Sequence, residues 1–96
     1  MDREQVRRLL GQHVDELHEL HMRSLSLFGS TVRGEAGADS DVDLLVEFDA
    51  PIGLFGFVRL QRRLAEILGR PVDLVPVDGV KARLRERIFA EAQRVA

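Results

Sequence analysis

Apolar residues recur along this chain in two rhythms, one typical of helices and the other typical of strands. Spacing of three or four residues predicts three long helices, over about residues 2–21, 54–68 and 80–95. In the second, the predicted buried stripe is Leu54, Phe57, Val58, Leu64, Ala65 and Leu68. In the third, it is Val80, Leu84, Ile88, Ala92 and Val95, with Phe89 beside them. Short apolar runs bounded by Gly, Pro and Asp predict three strands, over about residues 24–28, 41–48 and 71–77. A short helix is predicted between the first two strands, over about residues 30–36. The predicted order is therefore α-β-α-β-α-β-α.

This order of elements limits the fold. The second strand, the following helix and the third strand form a βαβ unit, which predicts a parallel pair with a right-handed crossover. The first strand must run antiparallel to the second if residue 29 is to lie beside residue 41. We therefore predict an α/β (α+β) fold, with a small mixed sheet of about three strands and flanking helices. The chain has 96 residues, and we predict a single domain over residues 1–96.

The second strand has two unlike faces, because successive side chains of a strand point to opposite sides. The alternation separates Asp41, Asp43, Leu45 and Glu47 from Val42, Leu44, Val46 and Phe48. The second set is apolar and predicts a core face. In the first set, two carboxylates lie roughly 6–7 Å apart along the backbone, within reach of a shared divalent metal ion. An Asp-x-Asp pair alone is more often a solvated strand end.

A Gly-Ser pair upstream favours the interpretation of those aspartates as metal ligands. Gly29 ends an apolar run and allows a tight turn or the close approach of a ligand. Ser30 is predicted at the N-cap of the short helix, where free N–H groups and the helix dipole favour an anion. Arg33 lies one turn further, and phosphate binding and pairing with a nearby carboxylate are equally good interpretations. An anion-binding turn beside two carboxylates suits a metal-bound nucleoside triphosphate.

The third strand adds Asp73 to this end of the sheet. In a parallel βαβ unit Asp73 falls level with Asp41 and Asp43. Its apolar neighbours Val72 and Leu74 face the core, so Asp73 faces the same side as the pair. Three carboxylates near a phosphate site predict two-metal chemistry. Asp41 and Asp43 would hold the Mg²⁺ of the nucleotide, and Asp73 would complete a second site and help to activate the attacking hydroxyl.

The motif formed by Gly29, Ser30, Asp41 and Asp43 resembles the signature of the DNA polymerase beta-like nucleotidyltransferase superfamily. The longer text GSTVRGEAGADSDVDLLVEFD, followed by PVDLVPVDGVKARLRERIFAEA, resembles the minimal nucleotidyltransferase (MNT) proteins that partner HEPN-domain toxins. The resemblance covers about residues 25–95. It also implies a third catalytic carboxylate on the strand that carries Asp73.

The resemblance implies an enzyme that uses Mg²⁺, in two sites, to transfer AMP from ATP to a tyrosine of a HEPN ribonuclease toxin. The toxin would thereby be neutralised. A chain this short has no room for template-holding lobes, so we expect the acceptor to be presented by another macromolecule. The chain has no tyrosine, which excludes modification of its own tyrosine. One alternative is an antitoxin that blocks the toxin by binding alone, and another is transfer to a small molecule or an RNA end.

Composition limits the remaining classes of function. The absence of cysteine excludes disulfides, zinc–thiolate sites and a thiol nucleophile. A net charge of −2 argues against direct binding to nucleic acid, although residues 81–94 hold five basic and two acidic side chains. No apolar run approaches the ~20 residues of a membrane span, so we expect no membrane association and a cytoplasmic protein. The apolar and basic surfaces of the last two helices are our prediction for the partner interface.

Overall fold

The computed structural model describes residues 1–29, 32 and 41–96. Within these ranges the elements, in chain order, are α1 (Arg3–Gly11), α2 (Val14–Glu19), β1 (Met22–Phe28), β2 (Val42–Phe48), α3 (Leu54–Leu68), β3 (Val72–Pro76), α4 (Ala82–Glu91) and β4 (Gln93–Arg94). A short 3₁₀ turn, Val77–Gly79, follows β3. The predicted helix over residues 30–36 lies outside the described residues. None of the described helices is long and apolar enough to cross a membrane.

The strands form one mixed sheet in the order β3-β2-β1-β4. β2 and β3 are parallel, whereas β1 is antiparallel to both of its neighbours, β2 and β4. The predicted parallel βαβ unit, antiparallel first strand and mixed α/β class are therefore confirmed. Since β4 is antiparallel to β1, it runs parallel to β3 at the opposite edge of the sheet.

The sheet has four strands in the described residues, where the sequence predicted about three. The helix predicted over residues 80–95 ends at Glu91, and the chain then pairs with β1. On β1, the Leu25 N–H donates to the Ala96 carbonyl at 3.1 Å, and the Leu25 carbonyl accepts from the Val95 N–H at 2.9 Å. This pairing satisfies backbone groups on the outer edge of β1 that continued helix would leave without these partners.

The helix predicted over residues 2–21 is divided into two by a break after Gly11. Glycine costs about 1 kcal/mol relative to alanine inside a helix, and the next helix begins only at Val14. The start of α1 is held by a capping box. The Asp2 carboxylate accepts from the Gln5 N–H at 2.9 Å, and the Gln5 side chain accepts from the Asp2 N–H at 2.9 Å.

The hydrophobic core lies on one face of the sheet, under α1, α2 and α3. Its fully buried side chains come from all of these helices and from β1 and β2: Val6, Leu10, Leu17, Met22, Leu25, Leu27, Val42, Leu44, Val46, Leu60 and Leu64. Outside the core, Arg63 on α3 donates two hydrogen bonds to the Glu16 carboxylate on α2, at 2.6 and 3.0 Å. The helices are therefore joined to each other as well as to the sheet.

The buried stripe of α3 differs from the predicted one. Leu60, Leu64 and Leu68 are buried, whereas Leu54 and Val58, which were predicted to be core, are exposed. Residues four apart form one row on a helix. At about 100° per residue, Val58 lies roughly 160° from Leu60, on the far side of the helix. The predicted stripe was therefore rotated about the helix axis: it left out Leu60 and included Leu54 and Val58, which are turned away from the core.

α4 differs from the other helices because it buries none of its residues. Leu84 was predicted to be core and is 40% exposed, and Phe89 beside it is 41% exposed. Val80 and Val95, which were predicted in the same stripe, are buried. They lie outside the helix, in extended chain before and after it. The chain leaves helical geometry at both positions, and α4 is left with an uncovered apolar surface.

Candidate active site

β2 places a carboxylate between two core residues. Val42 and Leu44 are 1% and 0% exposed, and the intervening Asp43 is partly exposed on the opposite face. Asp41 immediately precedes the strand and is exposed. The face opposite the core, which we call the open face, therefore begins with acidic groups at the start of β2.

Asp73 lies directly beside Asp43. The parallel register pairs Asp43 with Asp73, and paired residues of neighbouring strands point to the same face. The neighbours of Asp73, Val72 and Leu74, are buried on the core side, and Asp73 is exposed. Because adjacent strands are about 4.8 Å apart, the two carboxylates share one edge of the open face. This is the juxtaposition that the sequence predicted.

Gly29 lies against Asp43 and owes its identity to that contact. Phe28 pairs with Asp43 in the antiparallel register, and Gly29 follows it with a φ of 76°, in the left-handed region that favours glycine. A Cβ added to Gly29 would collide with the Asp43 Oδ2 atom and would lie 3.1 Å from Cγ. The Asp43 carboxylate therefore packs over the Gly29 backbone, and the turn and the carboxylate form one unit.

Ser30 and Arg33, the other predicted nucleotide-binding residues, lie outside the described residues. Their contacts with phosphate stay predictions, as does the anion site at the start of the short helix. Val32 is described, and its half-buried side chain packs against the hydrophobic core.

The carboxylates suit a hard divalent cation by their chemistry. Asp41, Asp43 and Asp73 offer only oxygen ligands, and Mg²⁺ is usually held by one or two carboxylates together with substrate phosphates and water. The Asp43–Asp73 pair provides two such groups on neighbouring strands. Over residues 1–29, 32 and 41–96, no three or more His, Cys, Asp or Glu side chains are arranged to hold a metal ion. An ion at this pair would thus be shared with oxygens of the substrate.

Two residues of the open face were missed by the sequence interpretation. Arg94 pairs with Ser26, which itself pairs with Leu45, so Arg94 shares the face of Asp43 with β1 between them. This position was hidden because β4 was predicted to be helix. Phe28 pairs directly with Asp43. Its position immediately before Gly29 was the available signal.

A cavity of about 650 Å³ lies at the other end of β2. Its lining includes Phe48, Phe57 and Val77, and the two phenyl rings meet edge to face with centroids 6.3 Å apart. Neither Asp43 nor Asp73 lines it. The cavity is therefore separate from the carboxylate pair and lies at the opposite end of β2 and β3.

Comparison with protein families and curated proteins gives concordant matches. A family model described as a nucleotidyltransferase domain matches residues 10–95. The protein adenylyltransferase MntA of Thermococcus cleftensis is 39% identical over 89 residues, which cover 92% of this chain and 90% of that protein. A Methanocaldococcus jannaschii protein, provisionally named a protein adenylyltransferase, is 39% identical over 71 residues, covering 74% of this chain and 76% of its own.

Solved structures agree on the fold. One that is provisionally described as a minimal nucleotidyltransferase superposes with a TM-score of 0.81 at 38% identity, covering 97% of this chain and 95% of the other. A toxin–antitoxin crystal structure with AMP-PNP gives 0.71 at 21% identity, covering 100% and 73%. A Shewanella oneidensis complex of tri-AMPylated HEPN toxin with MNT antitoxin gives 0.65 at 19% identity, covering 94% and 71%. The last two likenesses show the fold alone.

Proposed function

This chain belongs to the nucleotidyltransferase domain family, among its minimal members, and from that membership we propose that it is an adenylyltransferase antitoxin. It would transfer AMP from ATP to a tyrosine hydroxyl of a HEPN-type ribonuclease toxin and thereby neutralise that toxin. The observation that carries the proposal is the register pair Asp43–Asp73, built against the Gly29 turn. The reaction would take place in the cytoplasm, where ATP and the RNA targets of a ribonuclease are found.

The three aspartates would have different roles, according to their positions in the sheet. Asp41 and Asp43 would bind the Mg²⁺ that accompanies the triphosphate, and Asp73 would complete a second cation position. When bound, such ions offset the charge of the phosphates and of the attacking and leaving oxygens. Asp73 is exposed at the edge of the pair, where it can orient the acceptor hydroxyl and take its proton.

The turn would hold the other end of the triphosphate. The Gly29 backbone approaches the Asp43 carboxylate closely, so phosphates bound at the turn would lie beside the carboxylates. Ser30 and Arg33 would bind the β- and γ-phosphates with the N-terminus of the predicted short helix. The tyrosine oxygen would then form a bond to the α-phosphorus. The bond from that phosphorus to the bridging oxygen would break, and pyrophosphate would leave.

Names and contents of related structures support the choice of nucleotide and partner. The Thermococcus cleftensis relative is a protein adenylyltransferase. Among structures of the same fold, one toxin–antitoxin crystal contains AMP-PNP, and another contains a HEPN toxin that carries AMP groups. These support ATP as the substrate and a HEPN protein as the acceptor of this chain.

A second candidate function is neutralisation by binding alone. It is favoured by uncovered apolar residues at the start of α3, where Leu54 is 73% and Phe55 is 86% exposed. Neighbouring exposed apolar side chains of this size are typical of protein-binding surfaces. Binding and transfer are compatible, because an enzyme must bind its acceptor. The arrangement of Gly29, Asp43 and Asp73 favours transfer as the main function.

The experiment is to incubate the chain with a HEPN-type protein of the same organism, ATP and Mg²⁺, and to measure the intact mass of that HEPN protein. We expect gains in AMP-sized steps that are absent with Asp41→Asn/Asp43→Asn. Peptide mapping should then place the modification on tyrosine, and omission of Mg²⁺ should abolish it.

The matched control is Glu47→Gln, which removes a carboxylate from the open face of the same strand, four residues beyond Asp43. This variant should modify the HEPN protein at close to the wild-type rate. If no mass is gained by a HEPN protein that the wild-type chain binds tightly, neutralisation by binding alone becomes the better function. Equal modification by the Asp41→Asn/Asp43→Asn variant would exclude the proposed site.

A further inference from the structure

The connection between β3 and β4 crosses the open face of the sheet. These two strands are parallel and lie at opposite edges, so the chain between them must pass over β2 and β1. The β2–α3–β3 crossover runs over the core face. The connection from β3 to β4 proceeds across the sheet in the opposite direction from the connection between β2 and β3. If both connections are right-handed, the one from β3 to β4 must run over the other face. Handedness therefore places α4 on the side of the sheet that carries Asp43 and Asp73.

The burial pattern agrees with this path. Leu45 lies on the open face of β2 and is only 3% exposed, and Val80, just before α4, is 6% exposed. Neither belongs to the main core cluster, and the 3₁₀ turn before Val80 contacts β2. The segment that leads into α4 thus covers part of the open face.

The far end of α4 returns to the sheet at the level of the carboxylates. After the helix, Gln93 pairs with Leu27 on β1, and Leu27 pairs with Leu44 on β2. The chain therefore enters the sheet level with the residue next to Asp43, two strands away from it. An acceptor bound on the open face at Asp43 would share that face with α4.

α4 presents an uncovered surface that combines basic and apolar side chains. It is formed on one side of the helix by Leu84, Arg85 and Phe89, and we call it the α4 surface. The helix has ten residues, none of them buried. Helices of this length are marginal without tertiary packing. A partner that covers Leu84 and Phe89 would supply packing that the chain itself does not.

The charge of this region contrasts with that of the remaining chain. Residues 81–94 carry five basic and two acidic side chains, whereas the other 82 residues carry nine basic and fourteen acidic ones. A surface that is basic on an otherwise acidic protein selects an acidic partner and disfavours other encounters by charge. The exposed Leu84 and Phe89 require that this partner also carry apolar side chains.

We propose that the α4 surface is the docking site for the acceptor protein, and that it binds an acidic segment with apolar side chains beside the hydroxyl to be modified. The inference rests on the proposed function for the existence of a protein acceptor. It does not rest on the transfer chemistry, because docking precedes transfer and can be measured without ATP.

The test compares two charge reversals of equal size. Arg85→Glu changes the α4 surface, and Arg7→Glu changes an exposed arginine of α1, on the core side of the sheet. Affinity for the HEPN protein is measured by calorimetry without ATP. We expect binding to weaken at least about tenfold for the α4 variant and by less than about twofold for the α1 variant. Affinity for ATP with Mg²⁺ should change by less than about threefold in both.

A separate variant, Phe89→Ala, tests the apolar component at a side chain that is not buried, so the fold is retained. Its HEPN affinity should fall by about three- to tenfold, and circular dichroism should be unchanged. Unchanged affinity in both α4 variants overturns the docking proposal, as does equal weakening by the α1 control.

Other occupants give different results in the same experiment. If sedimentation shows a dimer that the α4 reversal dissociates, the surface binds a second copy and the proposal fails. It fails also if an RNA oligonucleotide binds the wild-type chain at the α4 surface and displaces the HEPN protein. Tight, α4-dependent binding without AMP transfer contradicts the proposed function alone. Absence of any HEPN binding by the wild-type chain contradicts both.

Discussion

The two faces of this sheet share one backbone and have different roles. On the core face, Leu44 is 0% exposed and packs under helices that each bury part of their surface. On the open face, the adjacent Asp43 meets Asp73 and Gly29, and the helix that crosses there buries no residue. Alternation along β2 thus places a core side chain and the carboxylate of the proposed active site one residue apart. It also leaves the chemical side accessible to a substrate.

The sharpest test of this division is Asp43→Asn, which should remove transfer and leave the fold. The shape of the side chain is kept while the charge that would bind Mg²⁺ is lost, so kcat should fall by about 10²–10³-fold or more. The melting temperature should stay within about 2 °C of wild type. Transfer is measured by AMP incorporation and stability by calorimetry. A folded Asp43→Asn variant with undiminished transfer would disprove the role assigned to this carboxylate.

The reciprocal change is Leu44→Ala, on the next residue and the opposite face. Leu44 is fully buried, and truncation of such a leucine costs about 2–5 kcal/mol of unfolding free energy. Urea denaturation should show this loss. At low temperature, where the variant is still folded, transfer per folded molecule should stay within a few-fold of wild type. A stable Leu44→Ala variant with no transfer would contradict the separation of the two faces.

Gly29→Ala should lower both transfer activity and stability, because Gly29 forms the turn that packs against the Asp43 carboxylate. A Cβ there would collide with the Asp43 carboxylate, and the φ of 76° is unfavourable for alanine. We expect transfer to fall by about 10²-fold through displacement of Asp43. Stability should fall by about 1–2 kcal/mol.

The matched control for this change is Gly11→Ala, where an added Cβ meets nothing within 4 Å. Gly11 lies in the last position of α1, so alanine should leave transfer unchanged and stability unchanged or slightly higher. Equal effects of the two alanine substitutions would contradict the contact assigned to Gly29.

The smallest predicted effect is the pH dependence of the α2–α3 ion pair on the core side. The Arg63 guanidinium, mainly through its hydrogen bonds, lowers the pKa of the Glu16 carboxyl below that of an ordinary glutamate. A lowered folded-state pKa stabilises the fold at pH values above the ordinary pKa of a glutamate, and that contribution is lost as the pH falls below that ordinary pKa and through the lower folded-state pKa.

The measurement is the urea midpoint of wild type and of Arg63→Gln at two pH values. The variant should have a slightly lower midpoint at pH 7, and the difference should shrink by about pH 3. Transfer at pH 7 should be unchanged, because the pair lies away from the open face. Arg62→Gln, one residue away on the exposed side of α3, is the control and should show no such pH dependence.

Much of this arrangement could be predicted from sequence because it depends on strand periodicity. The alternation from Val42 to Leu44 assigns Asp43 to the open face, and the βαβ order sets Asp73 level with it. These features follow from local pattern and from the handedness of the crossover.

The remainder depended on tertiary pairing. β4 was predicted as helix because the apolar periodicity of residues 80–95 is helical. Residues 93 and 94 form a strand because they pair with the outer edge of β1, and this tertiary contact is not visible in the local sequence. For the same reason, the position of Arg94 on the open face was not predicted. In the same way the apolar positions of α4 indicated a buried stripe, but the sheet face that the helix crosses leaves Leu84 and Phe89 uncovered.

The most direct test of the central claim is to follow the phosphorus of ATP. The chain is incubated with the HEPN protein, Mg²⁺ and ATP labelled either on the α- or on the γ-phosphate, and the label on each protein is measured. Nucleotidyl transfer at the Asp43–Asp73 pair predicts α-label on the HEPN protein, release of γ-label as pyrophosphate, and neither with Asp43→Asn. Transfer of γ-label to the HEPN protein, or α-label that persists with Asp43→Asn, would contradict the account.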